Sequence, residues 1–185
     1  MNSSALNSLS YLLLSLTCCA FLAACSEQKT VEIPSPASLT RDDTGYFCGM
    51  IVEDHQGPKS QIILQNQAQA IWFTTVRDGI AFTRLPEEVR PVSVFYVSAI
   101  DLGGWDNPEA DPANMIQAER AWFVIESERL GSMGAPEAIP FSSAPAAHAF
   151  AEKHNGRVVS LGEIPDAYIL GPGEPREDIH AGHSI

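Results

Sequence analysis

Basic residues are scarce in this chain: 11 Lys and Arg stand against 23 Asp and Glu, a formal net charge of −12. Such a surface repels nucleic acid and anionic lipid headgroups, because both need cationic side chains. Sulfur is scarce as well, with 4 cysteines and 4 methionines. No C-x-x-C pair occurs, so a dithiol–disulfide cycle within the chain has no second thiol. No G-x-S-x-G occurs either, which removes the nucleophile elbow of a hydrolase. Nor is any apolar run as long as the ~20 residues that a membrane-crossing helix needs.

The first ten residues hold no Lys or Arg, which is unusual ahead of an export signal. From Tyr11 to Ala24 the chain is apolar or small, broken only by hydroxyls such as Ser15 and Thr17. That length suits the apolar core of a secretory signal. The run ends in Leu22-Ala23-Ala24-Cys25, which resembles the lipobox of bacterial lipoproteins. The small residues leave an uncrowded backbone for the peptidase, and Cys25 becomes the lipidated first residue. The alternative is an uncleaved membrane anchor. Ser26, where an Asp would signal inner-membrane retention, favours the outer membrane and a periplasmic face. Cleavage removes Cys18 and Cys19, lipid caps Cys25, and Cys48 alone remains a thiol. A free thiol in an oxidising compartment asks for a reason.

Residues 25–44, with two prolines and many small polar side chains, read as a tether. Residues 171–185 read as a disordered tail. Between them "FTTVRDGIAF" at Phe73–Phe82 and "FSSAPAAHAF" at Phe141–Phe150 form a repeat. Each is a Phe, two hydroxyl residues, six residues and a Phe. The hydroxyl pair suits a helix cap. Apolar spacing places Val76, Ile80 and Phe82 inside in the first helix, and Ala146, Ala149 and Phe150 in the second. His148 is expected to be partly packed and His154 solvated. PVSVFYVS and GRVVSL follow as strands, and two strands precede each helix: YFCGMIV and SQIILQ, then AWFVIES and AIPF. The expected fold is therefore α+β, with two similar ββαβ half-domains over 45–100 and 118–170 packed together. Residues 101–117, rich in Gly, Pro, Asp and Asn, connect them. Halves of this size are marginal alone.

"YFCGM" puts Cys48 two residues from Met50. A strand turns both to one face, and a turn at Gly49 lets both sulfurs converge. Thiolate and thioether are soft donors that select Cu(I) over Mg²⁺ or Ca²⁺. Zinc prefers four ligands from Cys, His and carboxylate. Two donors hold an ion weakly, and Met133 is the best third, on a loop between Gly131 and Gly134 in the other half. His55 and Met115 are lesser candidates. His180 and His183 in the tail could hold a metal loosely. The competing reading of each is plain: a buried cysteine and core methionines in a structural or assembly lipoprotein, or a thiol redox protein.

The lipobox, "YFCGM", "SMG" at 132–134 and "PFSSAPAAHAFAEKHNGRVV" at 140–159 together resemble the NosL family. Those proteins are copper-binding lipoproteins that accompany nitrous-oxide reductase. The likeness implies two ββαβ halves and a Cu(I) chaperone, not an enzyme. It implies Cys48 and Met50 as ligands from the first half and Met133 as the candidate from the second. The implied partners are an ABC-type membrane complex and, through it, the reductase, whose copper–sulfide centre is built with the delivered metal. A single methionine in "ERLGSMGAPEAIPF" and Asn155-Gly156 in place of two glycines are the departures from the family pattern.

Overall fold

In the computed structural model, residues 32–105 and 111–171 are described. The signal segment, Cys25, the tail and its histidines lie outside them. The first sheet is built on β1 (Ser60–Leu64), whose five residues are all buried. A strand buried on both faces needs no polar alternation, and "SQIIL" shows none. β1 pairs antiparallel with β2 (Ala70–Phe73), Ile62 opposite Ile71, and with β3 (Val92–Ser98), Ile62 opposite Phe95. Helix α1 (Val76–Arg84) lies between β2 and β3 in the chain. Thr75 caps it, accepting the Asp78 N–H at 3.0 Å. A methyl on Gly79 would run into the Ser60 hydroxyl and the Phe95 ring, so glycine lets the helix lie against the sheet.

A short helix α2 (Ile100–Gly103) and β4 (Met115–Gln117) follow. The second sheet is built on β5 (Trp122–Ile125), which pairs with β6 (Ile139–Phe141) and β7 (Arg157–Val159). Helix α3 (Ala144–His154) joins β6 to β7, and α4 (Asp166–Leu170) closes the described chain. The strand orders are β2-β1-β3-β4 and β6-β5-β7. Each sheet thus carries a ββαβ unit, the order that the repeat led one to expect, and in both the first strand is central. The two units share one core. Ile62, Phe73 and Phe95 from the first pack with Phe123, Ile125 and Val159 from the second.

Five expectations are corrected. YFCGMIV is no strand: it forms a turn closed by an isolated bridge between Thr44 and Ile51. The missing strand is AIWF, which runs directly into the cap of α1 with no punctuating residue. The tether is shorter than 25–44. Gln61 exchanges two hydrogen bonds with the Ala37 backbone, at 2.9 and 3.0 Å, and the Tyr96 hydroxyl donates to the Pro34 carbonyl at 2.8 Å. Ala37 and Leu39 cover the sheet face turned away from α1. The connection 101–117 ends in a true strand, because β4 adds to the free edge of β3. In α3 the inward residue is Ala147, with Ala146, Phe150 and Ala151, while Ala149 is exposed. The histidines exchange roles accordingly: His148 is exposed, and His154 stacks on Phe150 at 4.5 Å between ring centroids.

Candidate metal centre

The turn around Cys48 is fixed by its own backbone. The Gly45 N–H donates to the Met50 carbonyl at 2.8 Å, and the Gly49 N–H to the Gly45 carbonyl at 2.7 Å. Gly49 sits at φ +66°, where a side chain is strained. The Tyr46 N–H donates to the Trp72 carbonyl at 2.8 Å, which hangs the turn on the edge of β2. The Tyr46 ring meets Phe47, Phe73 and Phe82. Its hydroxyl donates to Glu88 Oε1 at 2.7 Å and accepts from Arg90 Nη2 at 2.8 Å. Hydrogen bonds to Glu88, Arg90's first and Tyr46's second, hold its carboxyl below the ordinary range. Arg90 also lies over the Tyr46 and Phe82 rings, 5.4 and 5.1 Å from their centroids.

Cys48 is half-buried in this turn. Its Sγ lies 3.5 Å from Thr74 Oγ1. No room is left on the other side: a Cβ on Gly45 would come within 2.6 Å of that sulfur. Met50 is 37 % exposed and Met133 is 48 % exposed. Neither methionine fills a core position, unlike Met115, which is buried at β4 among Val52, Ile63 and Trp72. His55 is half-buried behind the 3-10 turn Val52–Asp54, with its N–H on the Val52 carbonyl.

Met133 rides on the loop between β5 and β6. Its turn is closed by the Gly134 N–H on the Gly131 carbonyl at 2.9 Å, with Gly134 at φ +71°. It opens on a pocket of about 210 Å³ that also touches Thr75, Arg77, Asp78 and Glu137. Thr75 follows Thr74 in the chain, so Cys48 and Met133 both border the residues that start α1. The first comes from the turn before β1 and the second from the other ββαβ unit.

Glu137 ties that loop down. It is 2 % exposed, and its Oε1 accepts the Arg77 N–H at 2.8 Å and the Ala138 N–H at 2.9 Å. A carboxylate from the second unit therefore serves the first turn of a helix in the first, where the helix dipole favours negative charge. Burial nevertheless pushes its carboxyl up to about 7. Burial draws the enclosed Lys59 ammonium down to about 8, and the Glu137 charge offsets part of that shift. Lys59 Nζ donates to the Gln56 and Gly57 carbonyls at 2.9 and 2.8 Å.

Among the described residues no group of three or more His, Cys, Asp or Glu side chains comes together to hold a metal. Hard-ion and zinc sites built on such clusters are thus missing there, while the sulfurs of Cys48 and Met133 are soft donors beside the start of α1. Sequence reasoning named the three sulfur residues. It missed Gly45, Thr74 and Glu137. The available signal was the doubled hydroxyl of "FTTV": a helix cap uses one hydroxyl, which leaves the other free for a second task.

The family model described as NosL matches residues 36–169. A copper-binding lipoprotein NosL of Achromobacter cycloclastes is 41% identical over 165 residues, covering 86% of this chain and 84% of that protein. One of Stutzerimonas stutzeri is 29% identical over 149 residues, covering 80% and 76%. The crystal structure of the copper chaperone NosL from Shewanella denitrificans superposes with a TM-score of 0.66 at 30% identity, covering 72% of this chain and 98% of that one.

Proposed function

Because this chain belongs to the NosL family, we propose that it is a lipid-anchored carrier of Cu(I). Cys48, Met50 and Met133 are the copper ligands. The metal is destined for the copper–sulfide centre of nitrous-oxide reductase, by way of an ABC-type membrane complex. One observation carries the reading. A half-buried thiol, Cys48, lies 3.5 Å from Thr74 Oγ1 just ahead of α1, and an exposed thioether from the other unit, Met133, lines the pocket at Thr75, the N-cap of the same helix, each in a turn pinned by backbone hydrogen bonds; the exposed Met50 shares the turn of Cys48. Sulfur donors select the monovalent ion. Exposure suits transfer: an incoming ligand can reach the ion before the outgoing one leaves. The chemistry is ligand exchange, with no bond of a substrate made or broken.

Anchoring at Cys25 through lipid keeps the carrier on a bacterial membrane facing the periplasm. Cys25→Ala is expected to abolish lipid labelling of the mature protein, and persistent labelling would place the anchor elsewhere. For the metal, the test is titration of the reduced, purified protein against a Cu(I) chelator. Stoichiometric binding is expected, weakened in Cys48→Ser with an unchanged far-UV spectrum. Weak, non-stoichiometric uptake would reject the reading, and unfolding of Cys48→Ser would assign the thiol to the core instead.

A further inference from the structure

We propose that Thr74 is a positioning residue for the copper ion: its hydroxyl donates a hydrogen bond to the Cys48 thiolate and holds that sulfur in place. The proposal rests on Cys48 being a copper ligand. Thr74 is 1 % exposed, and its Oγ1 has the Cys48 sulfur as hydrogen-bond partner at 3.5 Å. The helix does not need this hydroxyl, since Thr75 caps α1. In the free thiol either atom can donate. When Cu(I) binds, the Cu–S bond replaces the S–H bond and the proton leaves to solvent. The thiolate can then only accept, and the Thr74 hydroxyl is the donor.

The internal repeat offers a related arrangement, in which the N-cap residue Ser143 makes no side-chain cap and its hydroxyl also reaches Asp101 Oδ2, at 3.4 Å. Sixty-eight positions on, Ser142 stands where Thr74 does, one residue before the N-cap of α3. Its hydroxyl donates to Asp101 Oδ2 at 2.7 Å, and its N–H to Asp101 Oδ1 at 2.8 Å. In both units a side chain from the segment ahead of the first strand, Cys48 or Asp101, meets the hydroxyl before the cap. In the second unit that side chain is an acceptor anion. The duplicated geometry suits the same role for an ionised Cys48. Gly45 closes the other side, because a Cβ there would lie 2.6 Å from Sγ and 3.0 Å from Thr74 Cγ2. The sulfur is held between a wall and a donor, which limits its rotamers and aims its remaining lone pairs. Partners of this kind around a metal ligand typically change affinity by about 10–100-fold when removed.

The test compares Cu(I) affinity, by chelator competition at one pH, for the full-length protein in detergent and its Thr74→Val, Thr74→Ala, Thr74→Ser and Cys48→Ser variants. Val keeps the shape and loses the hydroxyl, Ser does the reverse, and Ala guards against a Val variant that fails to fold. Val and Ala are expected to bind about 10–100-fold more weakly, and Ser close to wild type. The ultraviolet thiolate-to-Cu(I) band should move to lower energy in Val and Ala only, because an unbonded thiolate gives up its electron more readily. Affinity that follows shape, with Ser weakened and Val unaffected, overturns the proposal, as does wild-type affinity in all three Thr74 variants. If Cys48→Ser loses copper while the Thr74 variants do not, the hydroxyl's role alone fails. If Cys48→Ser binds as wild type, the ligand set fails and takes this proposal with it.

Discussion

Gly45 and Gly49 stand four residues apart and are needed for opposite reasons. Gly49 has open space around it but a φ of +66°, so Gly49→Ala should cost the turn about 1–2 kcal/mol of backbone strain. Gly45 has no such φ, yet its added methyl would meet Cys48 Sγ at 2.6 Å. The cheaper relief is rotation of the thiol off Thr74. Gly45→Ala is therefore expected to weaken Cu(I) binding with little change in Tm, a pattern that thermal unfolding and chelator competition read together. Full affinity in a folded Gly45→Ala protein would show that the thiol's place is unimportant. At this scale the proposed ligands were legible, because softness is a property of the side chain itself and flanking glycines announce a loop. Met115, with no flanking glycine, was ranked below Met133, but its burial was not legible. Only the pairing of β4 with β3 buries it. Gly45 was illegible, and the doubled hydroxyl of "FTTV" marked Thr74 as spare without naming its partner, because the relation of both to Cys48 is spatial.

Helix α1 receives acceptors at its start from two directions: the Thr75 hydroxyl from its own unit and Glu137 from the other. Thr75→Ala is expected to lose about 0.5–2 kcal/mol, measured by denaturant unfolding, as for other caps. Glu137 gives a pH signature. Its carboxyl titrates near 4.5 when free and near 7 when folded, with burial the main cause and the nearby Asp78 charge adding to it. Between those values the folded protein holds the proton more tightly. The stabilisation linked to this group is thus fully present below about pH 4.5 and is lost as pH rises through about 7, a swing on the order of 3 kcal/mol. Glu137→Gln keeps the Oε1 acceptor and removes the titration. The stability difference, variant minus wild type, should rise across that window. A difference that stays flat would mean that the carboxyl is solvated. Helix positions were legible from the hydroxyl pairs and apolar spacing, although only the first pair caps by a side chain: Ser143 makes no cap bond and its hydroxyl turns to Asp101. The first hairpin was misplaced because "YFCGMIV" has strand composition, and nothing local reveals that Gly49 turns left-handed. His154 and Ala149 were misassigned because apolar spacing left the phase of α3 open by one position, which Phe150 did not settle.

The whole molecule is a duplication whose halves do not have separate interiors. Phe123 of β5 is fully buried against residues of both units. Phe123→Ala should cost about 3–5 kcal/mol and lower a single unfolding transition common to both sheets. Two resolved transitions in calorimetry would contradict a shared core. The repeat itself was visible in the sequence, since Phe73 and Phe141, and Phe82 and Phe150, recur at one offset. The docking of residues 34–39 on the back of the first sheet was not. Its contacts are backbone bonds to Gln61 and Tyr96, which composition does not encode. The proposed site depends on this architecture, because Cys48 and Met133 belong to different units and reach the start of the same helix only if the units pack as one.

X-ray absorption at the copper edge of the Cu(I)-loaded protein, alone and as Met133→Leu, tests most directly whether sulfur from both units holds one ion. The expected result is a first shell of sulfur in the wild type that loses one scatterer in the variant. A shell containing nitrogen or oxygen in place of the second thioether, or one unchanged by Met133→Leu, would contradict it.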